Sequence, residues 1–159
     1  MSSHVVRTGR TAPAPGPADD TPVPAVERPS ALALPFFGAA VQAGFPSPAD
    51  DYLEGALDLN EHLIRRPAAT FFLRVLGDSM TGVGIHSGDL LIVDRSVPPI
   101  DGRIVIAVLD EELTVKRLSR RRGKVRLMPE NPRYRPIEIG DGQDLQIWGV
   151  VRHVIHSFV

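Results

Sequence analysis

The sequence predicts a small, mainly β domain, mostly antiparallel, with one short N-terminal helix and a flexible N-terminal arm. Three observations predict it. From Thr70 onward, short apolar or alternating runs follow one another, separated by Gly, Pro, Asp and Asn. A single stretch, residues 49–66, carries a helical period. Residues 1–30 hold six of the chain's 15 prolines and no aromatic residue.

The elements follow in order. Residues 1–30 cannot bury enough apolar surface to offset the entropy of ordering them, so they read as a disordered, partly polyproline-like extension. Residues 31–48 are more apolar, but Pro35, Pro46 and Pro48 forbid one long helix, and the stretch reads as an extended arm able to dock. In residues 49–66, Tyr52, Leu53, Ala56, Leu59, Leu63 and Ile64 recur at helical spacing. Ser47 or Asp50 can cap the start, Pro67 marks the end, and Gly55 weakens the middle enough to allow two shorter pieces.

Strands are expected over Phe71–Leu76, Leu90–Val93, Ile104–Val108, Leu113–Leu118, Lys124–Met128, Leu145–Trp148 and Val150–Ile155. Asp110-Glu111-Glu112 reads as a hairpin tip. The apolar stretch Trp148 to Ile155 suggests a sheet edge open to pairing, hence a homodimer.

Length and charge set bounds on function. A chain of 159 residues fits one domain of ordinary size, or a smaller domain with a tail. Its 18 Lys+Arg and 19 Asp+Glu leave a net charge of -1, which argues against a surface that is uniformly a nucleic-acid or membrane magnet but leaves room for a local basic patch. The absence of cysteine removes disulfides, thiolate zinc sites and any Cys nucleophile. No apolar run reaches the roughly 18 residues of a membrane span, and residues 1–20 lack the apolar core of a secretory signal. A cytoplasmic protein is expected.

The usual catalytic motifs fail. His4, His62, His86, His153 and His156 show no metal-ligand spacing, so no metal is expected; Walker, GxGxxG and GxSxG patterns do not occur. Two segments remain. In Gly77-Asp78-Ser79-Met80, a serine follows an apolar strand on what reads as a tight turn, where backbone N–H groups can face a developing oxyanion. In Leu113-Thr114-Val115-Lys116-Arg117-Leu118, alternation puts Thr114, Lys116 and Leu118 on one face and Leu113, Val115 and Arg117 on the other. One basic residue therefore points away from the other, and alternation leaves open which is buried. A lysine desolvated among apolar neighbours loses proton affinity and can serve as a general base toward a serine.

From Pro35 to the C-terminus the chain resembles the self-cleaving LexA-like peptidase family, in its UmuD-like branch. The resemblance rests on four segments in order: Val41-Gln42-Ala43-Gly44-Phe45-Pro46-Ser47-Pro48, Gly77-Asp78-Ser79-Met80, Gly88-Asp89-Leu90-Leu91-Ile92-Val93-Asp94, and Thr114-Val115-Lys116-Arg117-Leu118. Ser79 and Lys116 stand 37 residues apart, the spacing of that family. It implies a LexA/signal-peptidase-like β domain, with Ser79 as nucleophile, Lys116 as general base, Ala43–Gly44 as scissile bond and backbone N–H groups near Asp78 and Ser79 as oxyanion hole. No cofactor is implied.

It further implies an SOS-response role: cleavage stimulated by a RecA filament on single-stranded DNA, and a processed homodimer serving a Y-family (UmuC-like) translesion polymerase. On this reading residues 1–33 are an extension, 34–48 the cleavable arm and 49–159 the peptidase domain. Ala43 stands where UmuD-like members carry cysteine, as in LexA-type repressors; the chemistry needs no sulfur there.

Other classes are weaker. A LexA-type repressor needs a helix-turn-helix of roughly 60–80 residues ahead of the peptidase domain, where this chain has about 40 residues rich in proline. A signal-peptidase-like processing enzyme usually needs a membrane anchor. A non-cleaving LexA-like binding module would not require the intact motifs. The cluster Arg117, Arg120, Arg121, Arg122, Lys124 and Arg126 reads as a solvated hairpin, a nucleic-acid contact or a polymerase contact. No recognition helix or stacking aromatics accompany it, so sequence-specific DNA binding is not expected.

Overall fold

The computed structural model describes residues 23–24, 31–37 and 53–159. Apolar alternation from Thr70 onward becomes a continuous antiparallel ladder. Its strands are β4 (Thr70–Arg74), β5 (Leu90–Asp94), β6 (Ile104–Leu109), β7 (Glu112–Arg121), β8 (Lys124–Met128), β9 (Ile137–Glu138) and β10 (Leu145–Ile155), and β1 (Val23–Pro24), inside the stretch that the sequence reads as disordered, adds to its edge by pairing with Phe71 and Phe72 of β4. They form one eight-stranded sheet in the order β1-β4-β5-β10-β6-β7-β8-β9. A separate two-stranded sheet pairs β2 (Ala33–Phe37) with β3 (Leu53–Asp58).

Two apolar clusters hold the large sheet. Phe71, Leu73, Val75, Met80, Ile85, Leu91, Val93 and Ile106 form the first, and Val105, Ala107, Leu118, Leu127 and Val150 the second. Strand β6 feeds both: Ile106 enters one and its neighbours Val105 and Ala107 enter the other. A strand buried on both faces needs a continuous apolar run rather than alternation, and Ile104-Val105-Ile106-Ala107-Val108-Leu109 is one.

The helical reading of residues 49–66 is corrected. Within it the structure has strand β3, then the short helix α1 (Leu59–Leu63), and a 3-10 turn follows at Pro67–Ala69. Two physical causes act. Gly55, at φ 146, is far from helical geometry, and the apolar run 33–37 offers residues 53–58 a ladder of backbone hydrogen bonds that outcompetes a short helix. The cap is Asp58, whose carboxylate accepts from the Asn60 backbone N–H at 2.8 Å and from Leu32 at 2.8 Å. The caps read from sequence, Ser47 and Asp50, lie outside the described residues, as do the arm residues 38–48.

Two expected strands prove to be one. Leu145–Trp148 and Val150–Ile155 join as β10 because Gly149 does not break the strand. A Cβ there would lie 2.7 Å from Val93 Cγ1 and 3.2 Å from the Asp94 carbonyl oxygen, so the glycine lets β10 press against β5. Nor is Trp148–Ile155 an outermost strand, although past Val150 only its β5 side is paired among the described residues. Residues 145–150 of β10 pair with β6 and 150–155 with β5, which makes β10 an inner strand. The tip at Asp110 and Glu111 is a two-residue turn with φ of 48 and 71, and Glu112 already belongs to β7.

Candidate active site

Ser79 lies in the turn between β4 and the 3-10 segment Thr81–Val83. Its position is set by its neighbours. Met80, 1% exposed, plugs the first core and anchors the turn from below. The Met80 carbonyl accepts from the backbone N–H of Val83 and Ile85. From the other side, the loop after β8 grips the turn. Glu130 N–H donates to the Ser79 carbonyl at 2.8 Å, and Gly82 N–H donates to the Glu130 carbonyl at 2.7 Å. Asn131 Nδ2 donates to the Asp78 carbonyl at 2.8 Å, and the Tyr134 hydroxyl donates to the Asp78 carboxylate. That bond, more than any other cause, raises the Tyr134 phenol above its ordinary pKa. Only glycine fits at position 82, because a Cβ would stand 2.4 Å from the Glu130 carbonyl oxygen.

Lys116 comes from the middle of β7, opposite Val105 of β6. Leu118, two residues on and therefore on the same face, lies in the second core. Lys116 is thus the buried member of the pair that alternation left open, at 8% exposed. Arg117 points the other way, to Glu130 and the Gly102 carbonyl. Loss of water around Lys116 lowers its ammonium below the usual lysine pKa.

The two segments meet. Lys116 Nζ is 2.9 Å from Ser79 Oγ, 2.9 Å from Thr114 Oγ1 and 3.0 Å from the Val115 carbonyl oxygen. This set suits a neutral amine. Its two N–H bonds can go to Thr114 and Val115, which leaves the nitrogen lone pair for the Ser79 hydroxyl proton. Alternation had put Thr114 on the Lys116 face, though not as a partner of its nitrogen. The backbone N–H groups of Asp78 and Ser79 donate to no group among the described residues. Ala43 and Gly44 lie outside the described residues.

Sequence reading missed the clamp formed by Glu130, Asn131 and Tyr134. Its only signal was the polar, proline-flanked stretch after Met128, which names no partner. It also missed a grouping of His86, Asp89 and His156, whose potential ligand atoms lie within 4.8 Å of one another. Asp89, 2% exposed, is already engaged: it accepts from His86 N–H at 2.7 Å, and its other oxygen lies 2.5 Å from His156 Nδ1. The arrangement reads as a pin on the C-terminal end of β10.

Residues 35–152 match the family described as Peptidase S24-like. The chain belongs to the peptidase S24-like family. Among its relatives is Protein SamA of Salmonella typhimurium, 50% identical over 131 residues, which cover 82% of this chain and 91% of SamA. Protein ImpA of Escherichia coli is 51% identical over 123 residues, 77% of this chain and 83% of ImpA. The LexA repressor of Dechloromonas aromatica is 43% identical over 129 residues, 80% of this chain but 63% of the repressor. The family match spans the Ser79 turn and the Lys116 strand together. Among the described residues, no helix is long and apolar enough to cross a membrane.

Proposed function

We propose that this S24-like chain is a self-cleaving Ser–Lys peptidase. The observation that carries the reading is the 2.9 Å contact between Ser79 Oγ and a buried Lys116 Nζ, whose two other neighbours, Thr114 Oγ1 and the Val115 carbonyl oxygen, can accept its own N–H groups. Neutral Lys116 takes the Ser79 proton as Oγ attacks the Ala43 carbonyl carbon. The oxyanion is met by the backbone N–H groups of Asp78 and Ser79. Collapse breaks the Ala43–Gly44 bond, and Lys116 passes its proton to the leaving Gly44 amine. Water, deprotonated by the same lysine, then hydrolyses the Ser79 ester. The substrate is attached to the enzyme, so a high effective concentration stands in for binding affinity.

In this reading residues 1–33 are an extension, 34–48 the cleavable arm and 49–159 the peptidase domain. The cellular role is that of the UmuD-like branch: cleavage promoted by a RecA filament on single-stranded DNA, then service as a homodimeric subunit of a Y-family translesion polymerase in the cytoplasm. Identity of 50% with SamA and 51% with ImpA, against 43% with the LexA repressor, supports this branch over a repressor.

The test is an intact-mass time course of the full chain at about pH 9–10, beside Lys116→Ala. A fragment beginning at Gly44, formed by the wild type alone, is expected. Cleavage by both proteins, or by neither even with an activated RecA filament, would overturn the peptidase assignment. A separate pull-down with a Y-family polymerase, before and after cleavage, tests the downstream role. Equal absence of binding in both states would remove it.

A further inference from the structure

The β7–β8 hairpin carries sequence choices that work against its own stability and all add positive charge to one face. Its register sets Ser119 opposite Arg126 and Arg121 opposite Lys124. Directly paired residues share a face, so Arg121 and Lys124 are like charges side by side, which destabilises a ladder. The turn between them is Arg122-Gly123, with φ of 51 and 74. A two-residue turn with both φ positive favours Asn or Asp at its first place. Arginine there holds a third cation at the tip at a cost in backbone strain. The neighbouring carboxylates do not cancel this charge. Glu138 pairs with Arg126 at 2.7 Å and Asp101 lies 3.7 Å from Arg121, while Arg122 and Lys124 have no ion-pair partner among the described residues. Arg126 Nε is shielded from solvent and lacks a hydrogen-bond partner among the described residues.

These residues are concave together. Ser119, Arg121, Arg122, Lys124 and Arg126 line a pocket of about 420 Å³. Four cations and a hydroxyl around one hollow match the oxygens of phosphate groups. No apolar or aromatic side chain lines it, so it offers neither the buried anchor of a protein interface nor a platform for stacked bases.

We propose that this hairpin face is a docking site for the phosphodiester backbone of nucleic acid, bound without sequence preference. It is separate from the Ser79–Lys116 pair and stands whether or not the chain cleaves itself.

The test pairs affinity with stability in the full chain. Arg122→Asn with Lys124→Thr removes two cations while giving the turn and the strand residues that favour them. Binding of a fluorescent 30-mer oligo-dT is followed by anisotropy from 50 to 200 mM salt, and thermal unfolding is recorded alongside. The variant is expected to unfold no earlier than the wild type, yet to bind about tenfold more weakly, with a log–log salt slope shallower by about 1.4. Equal binding by the two proteins, or no binding by the wild type at 50 mM salt, would overturn the proposal. So would a poly-glutamate of equal charge binding as tightly as the oligonucleotide, which would assign the face to an acidic protein.

Discussion

At Lys116 one side chain sets both the chemistry and its pH range. An ammonium in the second core's face loses water that three acceptors only partly replace, and its pKa falls accordingly. The proposed reaction needs the neutral form. Cleavage is therefore expected to rise with pH and to level off below the usual lysine range, as measured by initial rates of Gly44-fragment formation from pH 7 to 11. A flat profile would exclude a lysine base. Stability carries the same sign. Between the lowered folded pKa and the unfolded value, the unfolded chain binds more protons, so stability rises with pH in that window. Lys116→Met is expected to abolish both the cleavage and that rise, while remaining as stable as the wild type near pH 7 or more so, because no buried cation needs solvating. Urea unfolding at pH 7 and 10 measures it. Ser79→Ala is the milder change: cleavage vanishes, and stability moves by less than about 1 kcal/mol, since one hydroxyl on a turn is lost.

The next scale is the element, here a turn held between a core plug and a loop. Met80 fixes Ser79 from the core side, and the Glu130 backbone fixes it from outside through Ser79 and Gly82. Gly82→Ala forces a Cβ to 2.4 Å from the Glu130 carbonyl, so it breaks the grip rather than the fold. Loss of most cleavage is expected with a destabilisation of about 1–3 kcal/mol, read by fragment mass and by urea midpoint; unchanged cleavage would show that the loop does not position Ser79. This clamp also marks where sequence reading ends. Most strands of the large sheet were legible because alternation and turn residues are local, but β1, inside the stretch read as disordered, and the two-residue β9 were not; Ser79 and Lys116 stood out because each sits in a recognisable segment. Glu130 acts through its backbone, which no residue type announces. Residues 53–58 have helical spacing but form a strand, because their partner lies some twenty residues earlier and pairing across that distance leaves no periodic mark. Gly149 was read as a break because a close approach to Val93 and a chain break use the same residue.

Across the whole molecule, β10 is the seam. Its first half pairs with β6 and its second with β5, so it joins the strands around one core to those around the other. The strand's end is tied down at His156, whose ring meets the buried Asp89 carboxylate. The Asp89 carbonyl in turn accepts from the backbone N–H of Val75, four residues before Ser79, at 2.8 Å. The C-terminus is thereby fastened to the segment that leads into the candidate site. The backbone N–H of His86, followed by the His156 ring, holds Asp89 below the usual carboxylate range against the opposing pull of burial. A carboxylate with a lowered folded pKa contributes stability that is fully present above its unfolded value of about 3.9 and is lost as pH falls through the folded value. Asp89→Asn keeps the shape and removes the charge. It is expected to cost about 1–3 kcal/mol at pH 7 and to flatten the acid limb of stability. Urea midpoints from pH 2 to 7 test this. An acid limb identical to the wild type's would mean that the pin contributes nothing to joining the two cores, and that β10 holds them by its ladders alone.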